Sequence, residues 1–345
     1  MKKNILKFLG ISFLAVSLFS CSKQKSIQNE GEISVVTTIF PVYDWATSIC
    51  KDVETTKVEL LVKNGTDLHS FQPSTSDMIK ISQADLFIYV GGESDFWIKD
   101  ALKNSKKDQI QINLMEVLSS NLKEEEIIEG MESDHNHEDE HEDEHEDEED
   151  HFHSAEEKHS HVEYDEHIWL SAKNAEIACR KIAESIEILD LGNSAKYGEN
   201  LLLYLEKLSA LQSEIEKTKS LLQNSKNATL VVCDRFPFKY FTDELGLPYF
   251  AAFAGCSAET EASFETVAFL SNKVKELPLK SVFVTESSDL KLAKSVLQGA
   301  KKENLSVEKL NSMQNVTLKQ IESFEGKSLY ISLMKENLEQ IQKAF

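Results

Sequence analysis

The chain has 345 residues, of which 59 are acidic and 37 are basic, and its formal net charge is −22. This length predicts two domains, and an apolar fraction of 41% excludes a wholly disordered chain. The negative charge excludes a nucleic-acid-binding protein, because phosphates would be repelled. Most of the charge lies in one stretch, since residues 124–166 contain 22 acidic side chains and a single lysine. We therefore expect a nearly neutral globular protein that carries one very acidic segment.

The first residues have the layout of a secretory signal peptide. Three lysines precede an apolar run that is too short to span a bilayer comfortably. The run ends in Ser20 and Cys21, and this ending resembles a bacterial lipobox, in which the cysteine receives a diacylglyceryl group and becomes the first residue. The next ten residues are polar and have no apolar period. We predict a signal peptide over 1–20 and a lipidated flexible tether over 21–31.

Short apolar runs alternate with helical patterns in the next part of the chain. Strands are predicted at 33–38, 57–62, 85–90 and 110–114, and helices begin at Phe40 and near Ser74. Such alternation is typical of a parallel sheet with helices on both faces. We predict an N-terminal α/β lobe over 32–123 that is completed by 164–193.

The acidic segment between these two parts is rich in histidine and low in complexity. It contains eight of the ten histidines of the chain, namely His135, His137, His141, His145, His151, His153, His159 and His161. Imidazole binds Zn, Cu and Ni, and dense carboxylates attract cations. A segment of this composition cannot bury a core. We predict that 124–163 is a disordered loop that collects metal ions weakly, in preference to a merely solvated acidic loop.

A long helical pattern separates the first lobe from a second alternating set. Residues 194–224 carry one apolar stripe, and a helix of this length can connect two lobes as a stiff rod. Strands are then predicted at 228–233, 249–253, 281–285 and 305–309. The predicted fold is α/β with two lobes, each a mostly parallel sheet flanked by helices, joined by one long rigid helix. The second lobe is predicted over 225–345.

Only two histidines lie outside the acidic segment. His69 follows a predicted strand, and His167 precedes the first helix after the acidic segment. A lone histidine is usually a satisfied core or surface residue. Two of them at element ends, in a chain with a histidine-rich segment, favour a metal site.

The surroundings of these histidines resemble two motifs of a known family. The run from His69 to Pro73 resembles the loop G-x-x-x-H-x-x-x-P-T/S, and residues 165–170 resemble D-P-H-x-W-L. Together with the lipobox, the histidine-rich insert and the long helix, residues 31–345 resemble the zinc-uptake (ZnuA-like) substrate-binding lipoproteins of bacterial ABC importers. The resemblance implies two lobes with one metal ion in the cleft. It also implies four ligands: a histidine from each motif, a third group early in the second lobe, and a carboxylate near its end.

The resemblance assigns ligands to individual residues of this chain. The first two ligands map onto His69 and His167, and the carboxylate maps onto Glu286, which directly follows a predicted strand. No histidine stands at the third position, where the nearest residue is an arginine that cannot ligate a cation. We predict Asp234 as the third ligand. Two cysteines, Cys233 and Cys256, are alternative ligands, because a thiolate binds zinc well.

The resemblance implies capture of a metal and not catalysis. We expect a monomer that is extracytoplasmic and lipid-anchored to the bacterial cell membrane through Cys21. It would bind Zn²⁺ with high affinity and deliver it to the permease of an ABC importer, and binding would weaken below about pH 6 as imidazoles protonate. A carboxylate in place of a histidine ligand would favour Mn²⁺ or Fe²⁺, so a manganese- or iron-binding version is an alternative. A secreted metallohydrolase, for which there is no HExxH motif, and a metal-buffering surface adhesin are the alternatives of other classes.

Overall fold

The structure is a computed structural model that describes a large part of the chain. The described ranges are 32–63, 65–132, 163–225, 227–257, 261–324 and 327–345. The predicted signal peptide, the tether and Cys21 lie outside them, as do the eight histidines of the acidic segment. No helix in the described ranges is long and apolar enough to cross a membrane.

The first lobe contains a parallel sheet with helices packed around it. Its strands are β1 (Ile33–Thr37), β2 (Thr56–Leu60), β3 (Leu86–Tyr89) and β4 (Ile110–Asn113), in the spatial order β2-β1-β3-β4. Its helices are α1 (Phe40–Ile49), α2 (Thr75–Gln83), α3 (Ile98–Ala101), α4 (Leu114–Val117) and, after the acidic segment, α5 (Ala172–Leu189). Short 3₁₀ turns lie at Leu68–Ser70, Leu102–Asn104, Ser119–Asn121 and Ile168–Leu170. The strands are rich in β-branched residues, which suit a sheet that is covered on both faces.

A single long helix, α6 (Ser194–Asn224), joins this lobe to the second one. It has 31 residues, so at about 1.5 Å per residue it is roughly 46 Å long. One stripe of the helix is buried against neighbouring helices: Tyr197, Tyr204, Leu208, Leu211 and Ile215. This amphipathic face explains why the helix is stable over its length, since tertiary packing stabilises helices more than propensity does.

The second lobe repeats the architecture of the first. Its strands are β5 (Leu230–Phe236), β6 (Tyr249–Ala254), β7 (Ser281–Thr285) and β8 (Ser306–Leu310), all parallel and in the order β6-β5-β7-β8. Its helices are α7 (Lys239–Leu245), α8 (Phe264–Glu276), α9 (Lys291–Ala300), α10 (Leu318–Ser323) and α11 (Leu329–Ala344). The predicted fold class, two parallel-sheet lobes joined by one long helix, is therefore confirmed.

A buried carboxylate ties the two lobes to the long helix. Asp44 of α1 accepts hydrogen bonds from the Tyr204 hydroxyl of α6 at 3.0 Å and from the Ser328 hydroxyl at 2.7 Å. It also accepts the backbone N–H groups of Leu329 and Tyr330, at 2.9 and 3.3 Å. These amides open α11, so Asp44 satisfies donors that have no partner within the helix and lies at the positive end of its dipole.

The predicted acidic loop begins too early at residue 124, because residues 124–132 pack against the second lobe. The Met131 side chain is buried, and the Glu132 N–H donates to the Ala252 carbonyl of β6 at 2.9 Å. Glu124 forms an antiparallel bridge with Tyr164, just before the His167 motif. We call residues 124–132 the stem. Burial of its apolar side chains holds the stem against the second lobe, which the acidic composition alone did not predict.

Candidate metal centre

Two histidines that are far apart in the chain meet between the lobes. His69 lies in the 3₁₀ turn that follows β2, and His167 lies directly before the 3₁₀ turn that leads into α5. Their Nε2 atoms are 3.3 Å apart. Two ligands bound tetrahedrally to one zinc ion, at Zn–N distances of about 2.0–2.1 Å, would be separated by about 3.3 Å. The two imidazoles are therefore spaced as ligands of one ion.

Hydrogen bonds at Nδ1 point both Nε2 atoms toward the same place. His167 Nδ1 is 3.0 Å from Asp165 Oδ1, and the same oxygen accepts the His167 backbone N–H at 2.8 Å. His69 Nδ1 is 2.6 Å from the hydroxyl oxygen of Ser94. An acceptor at Nδ1 holds the proton on that nitrogen and leaves the Nε2 lone pair free for a ligand bond.

The side chain of Gln314 reaches both imidazoles from the second lobe. Its amide nitrogen is 3.0 Å from His69 Nε2 and 2.9 Å from His167 Nε2. The amide has two N–H donors, so each imidazole Nε2 accepts one, in agreement with protons on both Nδ1 atoms. The loop that carries Gln314 is held by Trp169 of the His167 motif, whose indole N–H donates to the Ser312 carbonyl at 2.8 Å. Sequence reasoning missed Gln314, although it follows the carboxyl end of a strand, where ligands of open α/β sheets bind.

A cysteine from the second lobe completes the group. Cys256 follows β6, and its sulfur and one ring nitrogen of each histidine all lie within 4.8 Å of one another. The neighbouring Gly255 allows this approach, because a Cβ there would lie 3.0 Å from His167 Cε1. The Cys256 N–H donates to Glu125 Oε1 at 2.9 Å, so the stem helps to fix the cysteine loop. Burial, followed by the nearby carboxylates, raises the pKa of the Cys256 thiol well above its usual range.

The structure does not bring the other predicted ligands to this group. Asp234 accepts the Thr285 hydroxyl at 2.8 Å and the Arg235 N–H at 2.8 Å. Glu286 accepts the Ser312 N–H and hydroxyl, both at 2.8 Å, and thereby supports the loop that carries Gln314. Cys233 is buried inside the second lobe, and burial raises the pKa of its thiol to about 12. Among the described residues, His69, His167 and Cys256 are the group of potential ligand side chains that comes together.

Arg235 of β5 connects the second lobe to the loop that carries His69. Its guanidinium pairs with Asp67 Oδ2, and Asp67 Oδ1 accepts the His69 N–H at 3.0 Å. Burial tends to raise the pKa of Asp67, but the Arg235 charge outweighs it and holds this pKa below its usual value. Burial, together with repulsion from His167, lowers the pKa of His69 to about 3. His69 is therefore neutral near pH 7, the form in which an imidazole can bind a cation.

Two α/β lobes that both direct side chains to one point between them define a two-lobed binding protein. The chain belongs to the ZnuA family, described as the periplasmic component A of a zinc-uptake complex, which it matches over residues 35–344. The family predicted from the two histidine motifs is thus confirmed. Its description is that of an uptake component and not of an enzyme, in agreement with the prediction of capture.

Individual relatives support the family at moderate identity. The chain is 28% identical over 350 aligned positions to the zinc-binding protein AdcA of Streptococcus pyogenes serotype M3, covering 99% of this chain but only 61% of AdcA. It is also 28% identical to the metal ABC transporter substrate-binding lipoprotein SsaB of Streptococcus sanguinis, with 99% of both chains covered. The fold matches the Zn(II)-bound ZnuA-like domain of Streptococcus pneumoniae AdcA with a TM-score of 0.65 and 24% identity, covering 91% of this chain and 98% of that domain.

Proposed function

We propose that this protein captures a divalent transition metal outside the cytoplasm, with Zn²⁺ as its main cargo, and delivers it to the permease of an ABC importer. The observation that carries the proposal is the 3.3 Å separation of His69 Nε2 and His167 Nε2, which matches two ligands of one tetrahedral ion. The names of the relatives support the cargo and the permease partner. The lipoprotein name of SsaB also supports anchoring to the cell membrane through Cys21.

The ligand set we propose contains His69, His167 and the thiolate of Cys256. Cys256, one of the two predicted alternative ligands, takes the place of Asp234, because its sulfur lies within reach of both imidazoles, and the predicted Glu286 is left out of the set. A half-turn of the Gln314 amide would present its Oε1 as a fourth, neutral ligand. Two imidazoles and a thiolate favour Zn²⁺, whereas Mn²⁺ and Fe²⁺ would require the harder carboxylates of Asp234 and Glu286.

Ligands from both lobes would let the metal control the conformation of the protein. The two histidines belong to the first lobe, and Cys256 and Gln314 belong to the second. An ion bound to all of them stabilises the closed arrangement by its differential affinity for that state. The permease can then distinguish the loaded protein from the empty one.

The test is a zinc titration on a protein whose residues 133–162 are replaced by a Gly/Ser linker. This replacement removes the eight histidines of the loop but keeps the stem, which contacts Cys256 through Glu125. We expect one tightly bound zinc per chain in competition with a chelating dye. The His69→Ala and His167→Ala variants should each bind at least about 100-fold more weakly, because each removes one of four ligands.

X-ray absorption on the same protein identifies the ligand shell. Two nitrogen ligands, one sulfur ligand and one oxygen ligand are expected for bound zinc. A shell of six oxygen ligands, together with a preference for Mn²⁺, would support the manganese alternative. Unchanged zinc binding by the His69→Ala, His167→Ala double variant would refute the proposed site.

A further inference from the structure

Glu166 is a buried carboxylate that lies behind His69. It is only 3% exposed, and its Oε1 accepts the Ser94 N–H at 3.0 Å. Its other oxygen, Oε2, has no hydrogen-bond partner among the described residues and lies 4.0 Å from His69 Nδ1. One carboxylate oxygen therefore lies near the ring nitrogen that faces away from the metal position, just beyond hydrogen-bond distance.

The backbone opposite Glu166 is shaped to admit its side chain. Gly92 has a φ of +85°, and a Cβ on it would lie 2.4 Å from Glu166 Oε1. A glycine is needed at this position both for the left-handed backbone and for the space. The fold thus accommodates a carboxylate that is almost fully removed from water.

An unpartnered oxygen on a buried carboxylate is unfavourable for folding. A buried polar atom without a hydrogen bond destabilises a protein by about 1–3 kcal/mol, and more if it is charged. Packing does not require a carboxylate here, because an amide of the same shape could accept the Ser94 N–H. The Oε2 atom near the ligand histidine gains a role when the imidazole becomes a stronger hydrogen-bond donor. Binding of a cation at Nε2 has that effect, because it withdraws electron density from the ring.

We propose that Glu166 is a positioning residue for His69, and this inference rests on the proposed metal-binding function. When the cation binds at Nε2, Glu166 Oε2 accepts or electrostatically supports the His69 Nδ1–H alongside the Ser94 hydroxyl. Asp165 does the same for His167, with Oδ1 3.0 Å from Nδ1. Two consecutive carboxylates therefore serve two different ligand imidazoles. Cys256 lies near the same two imidazoles and belongs to the other lobe.

The test is the isosteric Glu166→Gln variant in the loop-replaced protein. The amide retains an acceptor for the Ser94 N–H but removes the charge, and we expect zinc affinity to fall about 10- to 100-fold, the usual effect of a lost outer-shell partner. The unfolding midpoint of the metal-free variant should be equal to or above that of the parent, because a buried charge is removed. Glu166→Asp, which keeps the charge, should recover part of the affinity.

Glu244 provides a matched control. It is a partly buried glutamate with one oxygen bonded to the Ser171 hydroxyl at 2.5 Å and the other, which is itself buried, without a partner among the described residues. Glu244→Gln therefore makes the same chemical change away from the imidazoles. We expect its zinc affinity to equal that of the parent.

Nitrogen-15 NMR of the zinc-bound protein separates positioning from a general structural effect. In Glu166→Gln the Nδ1–H resonance of His69 should move, while that of His167 should stay in place. Zinc affinity within twofold of the parent, or equal movement of both resonances, would overturn the inference. If Glu166→Gln does not fold, the proton chemical shift of the His69 Nδ1–H in the zinc-bound parent is the test. A far-downfield shift, as in a hydrogen bond to a carboxylate, supports the role of Glu166, and a shift in the usual range overturns it. A parent that binds no zinc would instead refute the proposed function.

Discussion

Cys256 and Cys233, the two predicted alternative ligands, allow a decisive test of the ligand set, because of these two only Cys256 is grouped with the imidazoles. We predict that Cys256→Ser weakens zinc binding strongly and that Cys233→Ser leaves it unchanged. Both cysteines belong to the second lobe and both are free thiols, so the two variants make the same chemical change, one in the apolar interior of the lobe and one beside the imidazoles. They differ in that the Cys256 sulfur lies within 4.8 Å of the ligand nitrogens.

The size of the expected effect follows from the number of ligands. Structural zinc sites with four ligands bind with about 10–16 kcal/mol, so one ligand contributes roughly 3 kcal/mol, or more than about 100-fold in affinity. A serine hydroxyl is a much poorer ligand than a thiolate, and its oxygen is held closer to the backbone than sulfur. Selectivity should change as well, because the loss of a soft ligand weakens zinc binding more than manganese binding.

Competition titration with a chelating dye measures the affinity of each variant, and Co²⁺ substitution reports the sulfur directly. The parent and Cys233→Ser should show the near-ultraviolet thiolate-to-cobalt absorption, and Cys256→Ser should lack it. Parent-like zinc affinity in Cys256→Ser would refute the reasoning. A loss confined to Cys233→Ser would place the ligand sulfur inside β5 instead.

Three further outcomes follow from other contacts. Asp67→Asn leaves Arg235 unpaired near the site and removes a charge-assisted hydrogen bond between the lobes, so zinc binding should weaken roughly 30-fold, which corresponds to about 2 kcal/mol. Asp100→Asn is the control, because Asp100 is 73% exposed in its ion pair with Lys103, and this variant should bind zinc as the parent does. Equal titrations of the two variants would show that the Arg235 pair does not favour the closed form. Asp44→Ala leaves four buried hydrogen-bond donors without their acceptor and should lower the free energy of unfolding by about 3–5 kcal/mol in urea titrations. A loss below about 1 kcal/mol would contradict the role of Asp44 between the lobes. The pKa of His69 is about 3 in the folded protein and near 6.5 in the unfolded chain, so between these pH values the unfolded chain binds one more proton than the folded protein. The metal-free protein should therefore lose up to about 1.4 kcal/mol of stability for each unit by which the pH falls between 6.5 and 3. Urea curves at pH 7 and pH 5 measure this slope, and it should be shallower in His69→Ala; an identical slope would show that His69 is not the group responsible.

Local patterns in the sequence were sufficient to predict the helices and strands and to single out His69 and His167 as candidate ligands. The alternation of short apolar strands with helices predicted both parallel sheets, and the apolar stripe of 194–224 predicted α6 over its observed length. The helix start at Ser74 is confirmed by a capping box, in which Ser74 Oγ accepts the Asp77 N–H at 3.2 Å and Asp77 Oδ2 accepts the Ser74 N–H at 3.0 Å. These features depend on residues within one or two helical turns of each other, so a linear reading contains the necessary information.

Only the tertiary structure decided which side chains join the histidines. His69 and Gln314 are 245 positions apart, and Cys256 approaches from a third loop, so their meeting depends on how two sheets and the long helix pack. Asp234 lies near the carboxyl end of β5 and Glu286 directly follows β7, but their carboxylates bond to Thr285 and Ser312 and do not join the imidazoles. Strand ends define the edge at which a site forms, but the orientation of each side chain there is set by neighbours that are remote in the chain.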